Sequence, residues 1–265
     1  MSKKQIHGAD IFYKIVGKGS EPLVLLNGIS MTADNWKEQI GFFSERYKIL
    51  LHDYRGQLLS GNLPDDFTVE THLQDIENLV SHTECEKFHL AGMGYGANLA
   101  LWFAVKKPEC LRSLTLISPH TETGELHKSI LDCWITGAGV GAEGYYTATL
   151  PWNFSDEYLE KNKEYIKVQS KLLHQFPSNY FQNFIRLCEA AKTLTIPHEL
   201  GKIKCPVIFI SGEKDLISRP DTFTSLKKKI KSSKVAVVKN AGHAVLFEKP
   251  ELVNTLMDNF LSEQS

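Results

Sequence analysis

Three glycines at alternate positions, Gly92, Gly94 and Gly96, constrain this chain more than any other feature. An apolar stretch beginning near Phe88 leads into them, and the residues from Ala97 onward have helical spacing. Glycine adopts backbone conformations that other residues avoid, and it lets neighbouring backbones approach closely. The pattern therefore predicts a buried strand, a tight turn centred on Gly94 and a helix.

The same alternation of strand and helix continues along the chain. Short apolar runs that predict further strands lie at 11–16, 22–26, 47–53, 111–118, 206–211 and 235–238. Helical spacing or a helix-starting proline marks 69–85, 97–107, 221–230 and the stretch from 250 onward. With 265 residues, the chain is long enough for one sizeable α/β domain with a mostly parallel central sheet flanked by helices.

Residues 121–200 interrupt this alternation, since they contain helical stretches and no clear strand. We interpret them as a helical cap inserted into a core formed by residues 1–120 and 201–265. The segment is rich in aromatic side chains, which either line an apolar substrate pocket or hold the cap to the core. The aromatic residues that we select as candidate substrate contacts are Trp134, Tyr146 and Trp152.

Two further motifs follow predicted strands late in the chain. Asp215 ends the sequence Gly-Glu-Lys-Asp after the strand at 206–211, and His243 ends Ala-Gly-His shortly after the strand at 235–238. Together with the glycine-rich turn and the loop that begins at Asn27, these motifs resemble those of the α/β-hydrolase fold family. The resemblance covers nearly the whole chain outside the predicted cap.

This resemblance implies a set of site residues. The family carries a nucleophilic Ser at the centre of a G-x-S-x-G turn, and Gly94 stands at that position here. Asp215 and His243 match the acid and the histidine of the family's catalytic triad, in the same chain order. The backbone N–H groups of Ile29 and Tyr95 match its oxyanion hole. The side chains of the loop after the second strand that we expect to contact substrate are Asn27 and Ser30.

The sequence departs from the family at two other positions. Leu58 stands where the family's D-x-R-G-x-G-x-S loop usually has Gly, and Asn27 stands where many members have His. Removal of the Ser from a related triad lowers turnover by roughly a millionfold and leaves about 10³ to 10⁴ over the reaction in water. An ordinary serine esterase mechanism is therefore not expected.

Three hypotheses stay open. In the first, His243 and Asp215 support chemistry without a covalent intermediate, by activating water or by abstracting a proton, on a small to medium, partly apolar ester, thioester, lactone or ketone. In the second, the protein binds a ligand in the pocket without chemistry. In the third, Gly94 replaces the Ser of an ordinary acyl ester or lactone hydrolase and inactivates it.

Composition excludes several classes of partner. A formal net charge of −1 offers no electrostatic footprint for nucleic acid or for an anionic membrane. The five cysteines show no C-x-x-C spacing, so we expect reduced, mostly buried thiols rather than zinc ligands or a disulfide framework. No nucleotide or metalloprotease motif is present, and we expect no cofactor or metal. We expect a cytoplasmic protein with a small-molecule substrate; the sequence leaves its oligomeric state open between monomer and homodimer.

Overall fold

The computed structural model describes residues 2–81, 86–120 and 124–264. Its centre is an eight-stranded sheet with the strand order β1-β2-β4-β3-β5-β6-β7-β8. The strands are β1 (Ser2–Ile6), β2 (Ala9–Val16), β3 (Glu21–Leu26), β4 (Tyr47–His52), β5 (Phe88–Met93), β6 (Leu111–Ile117), β7 (Val207–Gly212) and β8 (Ser233–Val238). Neighbouring strands from β4 to β8 are parallel, whereas β1 and β2 join antiparallel at one edge. The predicted fold class, a mostly parallel sheet flanked by helices, is confirmed.

Helices cover both faces of the sheet. They are α1 (Lys37–Phe43), α2 (Val69–Val80), α3 (Tyr95–Lys106), α4 (Glu125–Gly139), α5 (Ala142–Asn153), α6 (Asp156–Lys161), α7 (Lys163–Leu173), α8 (Ser178–Ala191), α9 (Phe223–Lys229), α10 (Val245–Glu248) and α11 (Pro250–Ser262). The predicted helix at 69–85 ends at Val80, and positions 82–85 lie outside the described residues. None of the helices in the described ranges has the length and apolar character needed to cross a membrane.

The sheet divides the core into two layers because successive side chains of a strand point to opposite faces. Along β3, Val24 and Leu26 pack with α2, α3 and the helices that follow β6. Leu23 and Leu25 pack on the other face with α1 and α11. These strand residues are at most 1% exposed. The central strands of the sheet are therefore buried on both faces, as their continuous apolar sequences predict.

The glycine-rich turn joins β5 to α3 at very close range. A Cβ atom on Gly92 would lie 2.4 Å from the carbonyl oxygen of Gly96, and one on Gly96 would lie 2.4 Å from the carbonyl oxygen of Leu26. A side chain at either position would force α3 away from the sheet. These two glycines set how closely the first turn of α3 approaches β3 and β5.

Five helices, α4 to α8, lie between β6 and β7 and are called the inserted helices below. They contribute buried aromatic residues to the layer that also contains α2 and α3. Tyr145 of α5 packs edge-on against Phe181 and Phe184 of α8, with ring centroids 5.7 and 4.8 Å apart. Since α7 has no fully buried residue, it is the most superficial of the longer inserted helices.

The described cysteines are free thiols in differing environments. Cys188 and Cys205 are buried and Cys110 is half-buried, but Cys133 is exposed. The expectation of mostly buried thiols is wrong for Cys133, which lies on the outer side of α4. The fifth, Cys85, lies outside the described residues.

Candidate active site

The turn after β5 presents Gly94 at the carboxyl edge of the sheet. Gly94 has φ 52° and ψ −115°, in the positive-φ region that strains residues with a side chain. Its N–H donates to the carbonyl oxygen of Ile117 at 2.8 Å, which ties the turn to the end of β6. A Cβ atom at residue 94 would lie 3.2 Å from His243 Nε2. The structure therefore brings Gly94 and His243 together from positions far apart in the chain.

His243 is held from its opposite ring nitrogen. Its Nδ1 lies 3.0 Å from Asp215 Oδ2 and 3.2 Å from Asp215 Oδ1. Asp215 follows β7, and its Oδ1 also accepts the backbone N–H groups of Ile217 and Ser218 at 2.9 and 2.7 Å. These two bonds fix the carboxylate while one oxygen faces the ring. The imidazole is thereby oriented with Nε2 toward Gly94.

Serine hydroxyls support the loops that carry this pair. Ser118, at the end of β6, donates its Oγ–H to the carbonyl oxygen of His243 at 2.8 Å. Ser218 in turn donates to the carbonyl oxygen of Ser118 at 2.7 Å. The three loops after β6, β7 and β8 are thus connected by buried side-chain hydrogen bonds, which hold His243 in place.

Glu248 of α10 ties the turn that carries His243 to the inserted helices. Its Oε1 accepts the backbone N–H groups of Gly242 and Ser155 at 3.0 and 2.8 Å, and its Oε2 accepts the Ser155 hydroxyl at 2.5 Å. The N–H of Ala244 donates to the carbonyl oxygen of Asn153 at 2.7 Å. The position of His243 therefore depends on the segment between α5 and α6.

A cavity of about 320 Å³ lies between this edge of the sheet and the inserted helices. Gly94, His243, Ile29 and Tyr95 belong to its wall. In the described part of the chain, the backbone N–H groups of Ile29 and Tyr95 have no hydrogen-bond partner. Tyr95 starts α3, where N–H groups lack an acceptor within the helix. Two backbone donors without a partner among the described residues therefore belong to the cavity wall that also contains Gly94.

The candidate substrate contacts divide into two groups. Ser30, Trp134 and Tyr146 are part of the cavity wall, but Asn27 and Trp152 are not. The Asn27 amide donates to the carbonyl oxygen of His52 at 2.9 Å and to Gln57 Oε1 at 3.1 Å, and it accepts the Trp36 indole N–H at 2.9 Å. Asn27 is completely buried, so its side chain is committed to holding loops together.

Trp152 packs half-buried against the main core layer without reaching the cavity. Tyr146 lines the cavity with its ring, while its hydroxyl donates to the carbonyl oxygen of Ile166 at 2.7 Å. That bond links α5 to α7 across the cavity wall. Burial raises the pKa of Tyr146 to about 12, which keeps the phenol protonated near neutral pH.

Sequence reasoning missed two histidines of the cavity wall, His120 and His127. Their rings lie with centroids 4.4 Å apart, and His120 Nε2 is 3.2 Å from the carbonyl oxygen of Leu194. Burial lowers the pKa of His120 to about 3 and that of His127 to about 4. His120 follows β6 at the carboxyl edge of the sheet, where ligands of such folds bind, and that position was the available signal.

Leu58, one of the two sequence departures, also lies in the cavity wall.

No group of three or more His, Cys, Asp or Glu side chains in the described ranges has an arrangement suited to a metal ion.

A family model and several known proteins match most of this chain. The model of the alpha/beta hydrolase family matches residues 23–256. The chain belongs to the alpha/beta hydrolase family. Among characterised members, it is 28% identical over 98% of its length to a proline iminopeptidase of Lactobacillus helveticus, of which 97% is covered. It is 23% identical over 91% of its length to 3-oxoadipate enol-lactonase 2 of Acinetobacter baylyi, of which 89% is covered.

Among solved structures, the chain is similar to MGS-M2, an alpha/beta hydrolase enzyme from a deep-sea metagenome library of the Medee basin. The two share 27% identity and superpose with a TM-score of 0.93, with 98% of this chain and 97% of that chain covered. The similarity to family members therefore extends over both the sheet and the inserted helices.

Proposed function

We propose that this alpha/beta hydrolase-family protein is an enzyme in which Gly94 occupies the position of the family's nucleophilic Ser and His243 acts as a general base without a covalent intermediate. The substrate class is a small to medium, partly apolar ester, thioester, lactone or ketone. The observation that carries the proposal is the 3.2 Å distance between a Cβ built on Gly94 and His243 Nε2. A Ser hydroxyl attached there would be within reach of the base.

The Asp215–His243 pair supports the role of base. A carboxylate that accepts the Nδ1 proton fixes the imidazole tautomer and stabilises the imidazolium that forms when Nε2 takes up a proton. The side chain missing at Gly94 leaves a space beside Nε2 of the order of a water molecule's share of liquid volume, ~30 Å³. A water molecule in that space would have its proton acceptor in contact.

The free N–H groups of Ile29 and Tyr95 support the stabilisation of negative charge. Backbone donors aimed at a developing oxyanion lower the barrier to acyl transfer, and they need no particular side chain. The N-terminus of α3 adds the favourable end of a helix dipole at the same place. These donors serve equally an attack by water and the formation of an enolate by proton abstraction.

In the hydrolytic version of the reaction, the water oxygen forms a bond to the carbonyl carbon while a proton of that water passes to His243 Nε2. The tetrahedral intermediate then expels the alcohol or thiol, which receives that proton from the imidazolium. In the proton-abstraction version, Nε2 takes a proton from the carbon next to a ketone and returns it elsewhere on the product.

The similarity to family members supports the class of chemistry. The relatives are named for the cleavage of a peptide bond and of an enol-lactone, both at an acyl carbon. Because these names differ in substrate, they support no individual substrate for this chain.

One observation favours a second candidate, a ligand-binding protein without chemistry. Leu58 brings a bulky side chain into the cavity wall at a position where the family usually has Gly. A third candidate is an ordinary acyl ester or lactone hydrolase inactivated by Gly94, and it shares every other feature of the site.

The test compares the wild type with Gly94→Ser, Gly94→Ala and His243→Ala on a panel of activated esters, thioesters, lactones and ketones. We expect measurable turnover in the wild type and none in His243→Ala. Gly94→Ala places a methyl group in the same space without a hydroxyl, so it should also be inactive. Turnover that survives His243→Ala would exclude the proposed mechanism.

The Gly94→Ser variant distinguishes the three candidate functions: chemistry without a covalent intermediate, ligand binding, and an inactivated hydrolase. An intact pair and oxyanion hole predict that this variant gains an acyl-enzyme burst, despite about 1–3 kcal/mol of backbone strain at a positive φ. A burst together with a silent wild type would favour the inactivated hydrolase. Ligand binding that is unchanged by His243→Ala, with no product from any variant, would favour the binding protein.

A further inference from the structure

Over the described residues, the wall of the cavity next to His243 carries no formal charge. None of the described residues that line it is Lys, Arg, Asp or Glu. Its polar groups come from amides, from hydroxyls such as those of Ser30 and Tyr145, and from histidines. The rest of the wall is aliphatic or aromatic, as at Ile130 and Leu131 of α4.

The other two histidines of the cavity wall, His120 and His127, supply no positive charge near neutral pH. His120 is 4% exposed and its ring lies against that of His127. Their pKa values, lowered by burial to about 3 and about 4, keep both rings neutral. Positive charge on His127 or His243 also lowers the pKa of His120, and positive charge on His243 also lowers that of His127.

The third histidine cannot act as a net cation either. His243 lies 3.0 Å from the buried Asp215 carboxylate, so the pair is neutral when the imidazole is protonated and negative when it is not. The N–H groups of Ile29 and Tyr95 carry only partial charges. A carboxylate or phosphate that entered the cavity would therefore lose its hydration without gaining a counter-ion.

We propose that the site takes an uncharged, largely apolar molecule and discriminates against analogues that carry a carboxylate or phosphate. The proposal rests on the proposed function, because it concerns the substrate of that same site. It narrows the class to neutral carbonyl compounds. Charged acyl groups and nucleotide-linked thioesters are excluded by the wall as a whole rather than by any single residue.

The test uses three probes that share an eight-carbon chain and one methyl ester and differ at the other end: the dimethyl ester, the monomethyl ester and the monomethyl monoamide of octanedioic acid. Binding is measured at pH 8 from the stopped-flow change in tryptophan fluorescence, to which Trp134 in the cavity wall contributes, recorded before turnover accumulates. We expect the diester and the amide to bind within about tenfold of each other. The carboxylate should bind at least about a hundredfold more weakly than the amide, because only it requires a counter-ion.

A variant that adds a positive charge to the cavity wall tests whether the uncharged wall causes the discrimination against the carboxylate. Gln169 lines the cavity from α7, which has no fully buried residue, so Gln169→Arg should fold normally. We expect this variant to reduce the discrimination against the carboxylate by about tenfold or more. Gln175→Arg adds the same charge at an exposed position outside the wall and should leave the discrimination unchanged.

The outcomes are separable from those of the catalytic proposal. Equal binding of carboxylate and amide, or failure of both neutral probes to bind, would overturn the inference. An equal effect of Gln169→Arg and Gln175→Arg would overturn the assignment of selectivity to the cavity wall. Binding is read before turnover, so an inactive protein that still rejects the carboxylate would refute the mechanism and support this inference.

Discussion

Two strands of the sheet, β4 and β7, each lead into a buried aspartate, and a histidine is associated with each. Asp53 directly follows His52 at the end of β4, whereas Asp215 follows β7 and meets a histidine that lies 28 positions later in the chain. Both carboxylates are at most 2% exposed. The comparison shows that a buried carboxylate at the edge of a sheet becomes part of a candidate active site only through the partner that it orients.

Both carboxylate oxygens of Asp53 accept hydrogen bonds from neighbouring loops. The carboxylate accepts the backbone N–H groups of Ala33 at 2.7 Å and Leu59 at 3.2 Å, and the Asn27 amide lies 3.4 Å away. His52 points elsewhere: it packs edge-on against Tyr54, and neither of its buried ring nitrogens has a partner in the described structure. Unlike His243 and Asp215, the neighbours His52 and Asp53 therefore do not form a hydrogen-bonded pair.

The carboxylate of Asp215 lies 3.0 Å from His243 Nδ1 through Oδ2, which also accepts the Ser211 hydroxyl, and the His243 ring reaches the cavity. The first test of the contrast is Asp215→Asn, which retains the shape but loses the charge that stabilises the imidazolium. We expect turnover to fall by about 10⁴-fold, since the amide also favours the wrong imidazole tautomer. Steady-state kinetics on the substrate found in the ester panel measures this, and unfolding curves check that stability changes little. A loss below tenfold would remove Asp215 from the mechanism.

Asp53→Asn is the matched change on the other strand, and its effect should fall on stability. An amide turns one acceptor into a donor and leaves a buried N–H of the Ala33 or Leu59 loop unpaired. We expect the free energy of unfolding to drop by about 2–3 kcal/mol. Urea unfolding monitored by tryptophan fluorescence measures the drop. Activity per folded molecule should stay within a few-fold of the wild type, and a selective loss of activity would break the comparison.

The buried His52 makes the stability of the protein sensitive to acid. Burial lowers the pKa of His52 to about 3, well below the ordinary value of about 6.5. The unfolded chain therefore binds a proton there that the folded chain excludes. As pH falls from about 6.5 toward 3, stability decreases by up to about 1.4 kcal/mol per pH unit from this group alone.

His72 is similarly buried, with a pKa lowered to about 3, and adds to the same loss. His52→Phe should remove one proton from the slope of stability against pH while keeping the packing on Tyr54. Urea unfolding at pH 7, 6 and 5 gives that slope for both proteins. Parallel curves for the variant and the wild type would contradict the assignment of His52 as a neutral buried group.

The smallest expected effect on activity comes from changing Glu248, which links the turn that carries His243 to the inserted helices. Glu248→Gln keeps the size of the side chain but converts one of its two acceptor oxygens into an N–H donor, next to the N–H groups of Gly242 and Ser155. We expect kcat to fall by about threefold to tenfold with a smaller change in KM, because the ring shifts slightly relative to Gly94. Ser155→Ala removes the hydroxyl bond to Glu248 and the bond that Ser155 Oγ accepts from the Tyr158 N–H at the start of α6, and it should have a weaker effect of the same kind on kcat.

Much of the fold followed from local pattern, because the period of apolar residues reports which faces are buried. The strands from β2 to β8 were predicted within a few residues, and the antiparallel β1 was missed since Ser2–Ile6 is mostly polar at the edge of the sheet. The boundaries of the predicted cap stay a prediction. Asn27 and Trp152 show the limit of such reasoning, because residue type and loop position did not reveal that one side chain is saturated by loop hydrogen bonds and the other faces the core.

The sequence by itself determined the parallel sheet, the tight turn at Gly94 and the order in which Asp215 and His243 follow it, because strand periodicity and glycine requirements are local properties. Only the tertiary structure decided that Asn27 and Trp152 lie outside the cavity wall, that His120 and His127 line the same cavity, and that no described lining residue carries a fixed charge. Those relations depend on the packing of loops and inserted helices from distant parts of the chain, where distance and burial rather than sequence spacing set the chemistry.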